Sequence, residues 1–171
     1  TDQVDINMKV EERPTGSIMF GAGYSDRQGI LLNASLSQNN IFGTGNFFNL
    51  EVQRAAINQT YSASFTNPYF TVNGVSLGFD LYKRDIDTRP LKSFAEFKTQ
   101  TVGAGIRLGI PIAENDIVSF GLAAENTHID TTPKSPRRYT EFTEEFGTST
   151  NNFPFTVSWA RDRRDSAIWT T

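Results

Sequence analysis

The sequence from Thr15 to Thr71 reads TGSIMFGAGYSDRQGILLNASLSQNNIFGTGNFFNLEVQRAAINQTYSASFTNPYFT. Apolar residues alternate in it with small or polar ones, and turns rich in Gly and Asn, such as 39–45, interrupt the alternation. This pattern is typical of consecutive β-hairpins whose two faces meet different environments. The rest of the chain repeats the pattern, so we predict an all-β fold, an antiparallel meander of about eight strands after Pro14.

Each predicted strand has one apolar, partly aromatic face and one face of Gly, Ser, Thr, Asn and a few charges. A soluble sandwich would also alternate and would bury its apolar face against a second sheet. Here the strands are evenly long and the second face is small and polar, which favours a transmembrane β-barrel with a polar lumen. The apolar face takes every second residue of Ile18–Tyr24, Ile30–Leu36, Phe48–Val52, Tyr61–Phe65, Val75–Leu81, Val102–Ile110, Val118–Ala124 and Phe153–Trp159.

The composition supports a barrel and excludes several other classes. The 171 residues are only 37% hydrophobic but 12% aromatic, as expected when apolar residues occupy every second position of a sheet. The net charge is −3 with no basic patch, so nothing predicts binding to nucleic acid. The chain has no cysteine, which excludes disulfides and thiolate nucleophiles.

The connections between the predicted strands differ in length. Outer-membrane barrels have short periplasmic turns and longer extracellular loops, so we expect the compact turns on the periplasmic side. The compact turns are 39–45, 67–73 and 113–116, and the opposite end holds the short turns 26–29 and 56–59 and the long loops 85–98 and 130–151.

The loop at 130–151 contains an amphipathic segment. Tyr139, Phe142 and Phe146 would share one face of a short helix at 137–146, with Gly147 as its stop. A helix that caps the lumen, a helix on the barrel rim and an irregular surface loop all remain open.

We find no pattern of an enzyme or of a metal or cofactor site. His128 is the only histidine, so a catalytic triad or a multi-histidine metal site cannot be built on it. The Gly43–Gly45 turn lacks the Lys-Ser/Thr and the helix of a phosphate-binding loop. We therefore predict no catalytic residue, no metal and no cofactor.

Several short sequence motifs along the chain resemble those of the BamA family of outer-membrane β-barrel assembly proteins. They are VDINMKVEERPTGS at 4–17, GAGYS at 21–25, SQNNIFGTG at 37–45, FTNPYFTVNGVSLG at 65–78, GAGIRLGIPI at 103–112 and WARDRRDSAIW at 159–169. Residues 3–12 alternate and predict a half-buried strand that ends before Pro14. The resemblance implies that residues 1–14 end the last periplasmic POTRA domain. It implies that 15–171 are the N-terminal half of a barrel of about 16 strands, so we expect a fragment of a longer protein.

The resemblance also implies site residues. In this family the first barrel strand forms one side of a weak seam with the last strand, and an exposed strand edge can pair with an incoming strand. The seam strand here comprises Gly16, Ser17, Ile18, Met19, Phe20, Gly21, Ala22, Gly23 and Tyr24, and the periplasmic turns carry Phe42, Gly43, Gly45, Asn67, Pro68, Tyr69 and Phe70. Glycines weaken strand packing and permit bending, although they would also serve merely to relieve crowding in the lumen.

The function implied is assembly and insertion of β-barrel proteins into the bacterial outer membrane. The partners implied are outer-membrane lipids, unfolded outer-membrane proteins and accessory lipoproteins bound mainly to POTRA domains. One alternative is a related transporter barrel of the two-partner-secretion type, which passes a polypeptide through its lumen. Another is a self-contained barrel of about eight strands with an adhesive or structural role, which requires its last strand to pair with its first.

Overall fold

The computed structural model describes residues 9, 14–26, 28–91 and 96–162. The predicted strand at 3–12 lies outside these residues except for Lys9. The strands are β1 (Gly16–Ser25), β2 (Gly29–Asn39), β3 (Phe47–Arg54), β4 (Asn58–Asn67), β5 (Ser76–Asp87), β6 (Phe97–Ala113), β7 (Asp116–Thr131), β8 (Ser149–Asn152) and β9 (Phe155–Arg161), with one α-helix, α1 (Arg137–Phe146), and 3₁₀ turns at Ile41–Gly43 and Arg89–Leu91.

The strands form one antiparallel meander in which each strand pairs with its neighbours in the chain. Both β8 and β9 pair with β7. Glu125 lies opposite Asn152 and Leu122 opposite Phe155, so the two segments keep one register along β7. They therefore form a single eighth strand, interrupted where Pro154 has no N–H to donate. The predicted count of eight strands is confirmed.

The sheet is open. In the described part of the chain β1 pairs with β2 alone, and β8 and β9 pair with β7 alone. The self-contained barrel of eight strands required β9 to lie beside β1, and this pairing is not formed. The sheet thus has the form of a barrel wall with two unpaired edges.

The pairing registers confirm the predicted apolar face. One row of directly opposed residues crosses five strands on the same face, from Phe65 through Phe79, Ile106 and Leu122 to Phe155. Most of these side chains are exposed, and Ala55 and Ile129 are the buried hydrophobic residues among those described. Because no layer of protein covers this face, the apolar surface needs lipid as its neighbour.

The two loops predicted to be long are shorter than expected. The prediction placed a loop at 85–98, but β5 continues to Asp87 and β6 begins at Phe97. It placed another at 130–151, but β7 reaches Thr131 and α1 and β8 occupy much of the remainder. These strand tips are polar, so hydrophobic alternation does not reveal them. Main-chain pairing such as Asp87 opposite Lys98 extends them.

We expect a charge on the outer face to be costly. Ile106 lies between Phe79 and Leu122 in the apolar row. Ile106→Arg should lower the free energy of unfolding of the full-length barrel in lipid by about 2–4 kcal/mol, because an arginine near the midplane is poorly solvated. Denaturant titration in vesicles measures the change.

The matched control places the same residue on the other face. Ser62 on β4 lies opposite Glu51 on β3, on the lumenal face. Ser62→Arg should therefore lower the free energy of unfolding much less than Ile106→Arg. Equal costs for the two variants would contradict the assignment of the faces.

Candidate functional site

In the described part of the chain, the edge of β1 away from β2 carries backbone groups that no other strand pairs. The N–H of Asn39 donates to the carbonyl of Thr15 at 2.7 Å, which makes these two residues a hydrogen-bonded pair of the antiparallel ladder. Such pairs alternate along a strand. The odd-numbered residues of β1 therefore bond to β2, and the even-numbered residues direct their N–H and C=O groups to the open edge. These are Gly16, Ile18, Phe20, Ala22 and Tyr24.

The same even-numbered residues form the outer face of β1. Ile18 is 64% exposed and Phe20 is 83% exposed, which exceeds the exposure of Phe79 or Ile106 in the middle of the sheet. The edge thus presents both apolar side chains and free hydrogen-bonding groups. All nine predicted seam residues lie on this one strand.

The glycines of β1 are not required by crowding. A Cβ built on Gly21 or Gly23 would lie 3.8 Å from its nearest neighbour, which is ordinary contact distance. At Gly16 a Cβ would meet Gln38 Oε1 at 2.1 Å, but this atom is the end of a flexible side chain. Relief of crowding therefore does not explain the glycines at 21 and 23.

Few side-chain contacts join β1 to β2. Ser17 and Ser37 share a hydrogen bond between their hydroxyls at 2.7 Å, and the Gln38 amide donates to the Thr15 hydroxyl at 2.7 Å. No charged pair crosses between these two strands in the described residues. The β1–β2 pair is therefore held mainly by its backbone ladder.

The lumenal face of β5, β6 and β7 is more strongly connected. Arg107 on β6 binds Asp80 on β5 through two bonds, Nε to Oδ2 at 2.5 Å and Nη2 to Oδ1 at 2.9 Å. Tyr82 on β5 lies across Gly103 on β6 and donates to Glu125 Oε1 on β7. These side chains tie three successive strands together through charge-assisted hydrogen bonds, which are stronger than neutral ones.

A second charged cluster joins β7 to β9. The guanidinium of Arg161 donates to the two carboxylate oxygens of Asp116 at 2.6 and 2.8 Å. The indole N–H of Trp159 donates to the same carboxylate at 3.2 Å, and Asp116 is buried. The described sheet therefore changes from a strongly tied region at β5–β9 to a weakly tied one at β1–β2.

The predicted periplasmic turns lie at one end of the sheet, with the 113–116 turn. In the first turn the N–H of Gly45 donates to Asn40 Oδ1 at 2.6 Å, and Asn40 and Phe42 have positive φ of 58° and 49°. In the second turn the N–H of Tyr69 donates to Asn67 Oδ1 at 3.0 Å. Both turns are thus closed by their own side chains.

The segment at 137–146 is a helix, and it packs on the inner face of the sheet. The Tyr139 ring stacks on Phe97 with centroids 4.7 Å apart. Phe97, at the tip of β6, and Ile129, near the end of β7, share the face of Tyr82 and Glu125 by strand alternation. The irregular surface loop is therefore wrong, since the segment is a helix that contacts the inner face at the tips of β6 and β7. No helix in the described residues is long and apolar enough to cross a membrane.

Some of these residues were not identifiable as a site from the sequence. Tyr82, Glu125, Asp80 and Arg107 are separated in the chain, and only the strand register brings them together. His128 contacts Asp130 at 3.1 Å. Among the described residues no group of His, Cys, Asp or Glu could hold a metal ion.

The open meander, the lipid-facing apolar face and the polar inner face define a segment of a transmembrane β-barrel wall. Residues 40–171 match the Omp85 superfamily domain, and the chain belongs to that superfamily. It is 41% identical, over 99% of its length, to the outer membrane protein assembly factor BamA of Neisseria meningitidis serogroup B. It is 31% identical, over 70% of its length, to the protein of that name from Nitratidesulfovibrio vulgaris.

A solved structure agrees with these relatives. The chain resembles the crystal structure of BamA from Haemophilus ducreyi lacking POTRA domains 1–3, with a TM-score of 0.70 and 29% identity over 94% of this chain and 32% of that one. The chain spans 22% of the Neisseria relative and 14% of the Nitratidesulfovibrio relative. The barrel resemblance and the outer-membrane location predicted from the sequence are confirmed.

Gly103 should be intolerant of a side chain. A Cβ at this position would lie 2.5 Å from Tyr82 Cζ, so Gly103→Val should displace the tyrosine and break its bond to Glu125. We expect a loss of about 1–3 kcal/mol in unfolding free energy of the full-length barrel, the usual cost of overpacking. The heat-modifiable gel band of the folded barrel should therefore be lost at a lower temperature than in the unsubstituted protein, and gels run after heating to increasing temperatures measure the change. Gly121→Ala, whose Cβ would meet Thr156 Cβ at 3.6 Å, is the control, and a similar loss in both would contradict the explanation.

Tyr139 should hold α1 on the sheet. Tyr139→Ala removes the ring that stacks on Phe97, so the helix should detach and unfold more often, which makes the backbone at the exposed Arg137 and Arg138 accessible to trypsin. We expect cleavage of the folded barrel to accelerate about tenfold, since aromatic pairs and ring burial together contribute more than about 1.4 kcal/mol. Glu144→Ala, on an exposed position of the same helix, should leave the rate unchanged. Equal cleavage rates for the two variants would show that the stacking does not hold α1.

Proposed function

We propose that the protein containing this chain assembles and inserts β-barrel proteins into the outer membrane, with β1 as the edge that pairs with the incoming strand. Residues 1–14 end a POTRA domain in this proposal, and 15–171 supply half of a barrel of about 16 strands. The names of the relatives support the assembly role. Because the chain is about a fifth of the longest-matching relative, the proposal concerns the whole protein.

The observation that carries the proposal is the open edge of β1. Gly16, Ile18, Phe20, Ala22 and Tyr24 direct their backbone groups away from β2. In the hydrocarbon layer each unpaired group costs several kcal/mol, because no water is present to bond it. A strand of an unfolded outer-membrane protein would satisfy these groups by adding to the sheet.

The distribution of side-chain contacts supports movement at this edge. Opening a barrel beside β1 would leave the Asp80–Arg107 and Tyr82–Glu125 pairs intact, since they join β5, β6 and β7. The region next to the edge has mainly neutral contacts, such as Ser17 with Ser37. Bending there would break few strong bonds.

The position of α1 favours insertion over the transporter alternative. A transporter of the two-partner-secretion type needs an open path through the lumen. Here α1 packs on β7 and its Tyr139 ring stacks on Phe97, at the end of the sheet opposite the compact turns. We therefore place the substrate at the strand edge, in contact with outer-membrane lipids, and expect POTRA domains to bind the accessory lipoproteins.

A proline on β1 tests the edge directly. Phe20→Pro removes an N–H that points to the open edge and leaves the β1–β2 bonds in place, since edge strands tolerate proline there. We expect insertion of a substrate barrel by the full-length protein in vesicles to slow about fivefold, the effect of one hydrogen bond of about 1 kcal/mol. Phe20→Ala, which keeps the N–H, controls for the lost ring.

A second variant separates the edge from folding. Gly21→Pro removes an N–H that bonds to Asn33 on β2, so this variant should lose barrel stability as well. Substrate insertion at the wild-type rate by a correctly folded Phe20→Pro protein would refute the role of the edge. Release of the substrate across the membrane instead of insertion would support the transporter.

A further inference from the structure

One polar side chain interrupts the apolar outer face of β2. The outward positions of this strand are apolar from Ile30 to Leu36, and the next one is Gln38. Gln38 lies opposite Gly16 on β1 and opposite Phe48 on β3, and its side chain is half-buried. An amide group at a lipid-facing surface is unfavourable unless its polar atoms are bonded. Its hydrogen-bond partners therefore show what this side chain does.

The Gln38 amide bonds to the residue that precedes β1. Its Nε2 donates to the Thr15 hydroxyl at 2.7 Å and to the Asn39 carbonyl at 3.2 Å. The N–H of Asn39 in turn donates to the Thr15 carbonyl at 2.7 Å. Thr15 is therefore bonded to the end of β2 twice, once through its backbone and once through its side chain.

The Gln38 side chain reaches Thr15 by passing over Gly16. A Cβ built on Gly16 would lie 2.1 Å from Gln38 Oε1 and 3.2 Å from Gln38 Cδ. The amide group therefore occupies the space on the outer face that a side chain at position 16 would fill. A larger residue there would push the amide away from Thr15, so the glycine and the glutamine fit one another.

The start of β1 depends on such a bond more than the rest of the strand does. Gly16 has no side chain to pack on the sheet and is free in its backbone, so it weakens the end of the strand. Pro14 precedes it in the even-numbered series and has no N–H to present. The donors of the open edge therefore begin at Gly16, next to the ladder bond between Asn39 and Thr15.

We propose that Gln38 is a positioning residue for the open edge of β1, which it holds in place by bonding Thr15 across Gly16. The inference rests on the proposed function, in which this edge pairs with an incoming strand. The bond keeps the N–H and C=O groups of Gly16 and Ile18 in line with those of Phe20. Without it the first residues of β1 separate from β2, and the incoming strand loses its pairing partners at that end.

Substitutions in the full-length protein, in vesicles, test the bond. Gln38→Met keeps the length of the side chain and removes the amide, and Thr15→Val keeps the shape of the threonine and removes its hydroxyl. A double variant combines the two. Thr15→Ser keeps the hydroxyl and should preserve the bond. Gln53→Met makes the same change on the lumenal face of β3, two strands from β1, and is the control.

The first measurement is hydrogen exchange at the Asn39 N–H, which bonds to Thr15, by mass spectrometry with fragmentation to single residues. We expect exchange to accelerate about fivefold in Gln38→Met, in Thr15→Val and in the double variant alike, the effect of one net hydrogen bond. Thr15→Ser and Gln53→Met should leave it unchanged, and Asn33 further along β2 should be unaffected throughout. Unchanged exchange in Gln38→Met would overturn the proposal. Additive effects in the double variant would also overturn it, because partners in a single bond do not contribute separately.

The second measurement is the rate at which the same proteins insert a substrate barrel. We expect the three variants without the bond to insert it about fivefold more slowly, and Thr15→Ser to insert it at the unsubstituted rate. The heat-modifiable gel band should be lost at nearly the same temperature in all of them, because the change is local to the strand end. Insertion at the unsubstituted rate by Gln38→Met would overturn the positioning role. A normal rate in Phe20→Pro would instead refute the edge itself, so the two failures are distinguishable.

Discussion

The constraint on which this structure depends is that a strand in a membrane must pair its backbone groups with another strand. The interior strands β2 to β7 meet it on both sides, and the sheet needs no buried core because lipid covers its outer face. The constraint is unmet at β1, where the even-numbered residues have no neighbour in the described chain. The sheet is also unpaired at β8 and β9 in the described residues, and the proposed activity follows from the edge at β1.

Side-chain bonds between strands determine where such a sheet can deform. Arg107 bonds to Asp80 and Tyr82 to Glu125 on the lumenal face, and Arg161 bonds to Asp116 on the outer face, so these pairs join strands from β5 to β9. In a sheet with this distribution the charged side-chain bonds lie away from β1, so opening beside β1 would break few of them. Gly103 and Gly105 have no side chain on the lumenal face at the centre of β6. The space this leaves is occupied at Gly103 by the Tyr82 ring, which reaches across β6.

The sequence predicted the faces and the strand number well and the strand ends poorly. The alternation of apolar and polar residues follows from having lipid on one face of each strand. Phe79, Ile106 and Leu122 could therefore be assigned to one surface before their registers were known. The ends of β5 and β7 rise above the apolar band, where both faces are polar and main-chain bonding leaves no compositional signal. The lumenal pairs could not be predicted from the sequence, because Tyr82 and Glu125 meet only through the register of the intervening strand β6. The backbone groups at the open edge of β1 could not be identified either, because this requires knowing which residues of β1 bond to β2.

The connections at the two ends of the sheet differ in whether protein covers their apolar side chains. At one end α1 covers the inner face through Tyr139 on Phe97, which buries apolar surface within the protein. At the other end the turns leave Phe42 and Phe70 exposed, although their backbones are closed by hydrogen bonds. If water were the neighbour of these rings, the more economical turn would carry glycine or asparagine at position 42, where φ is positive.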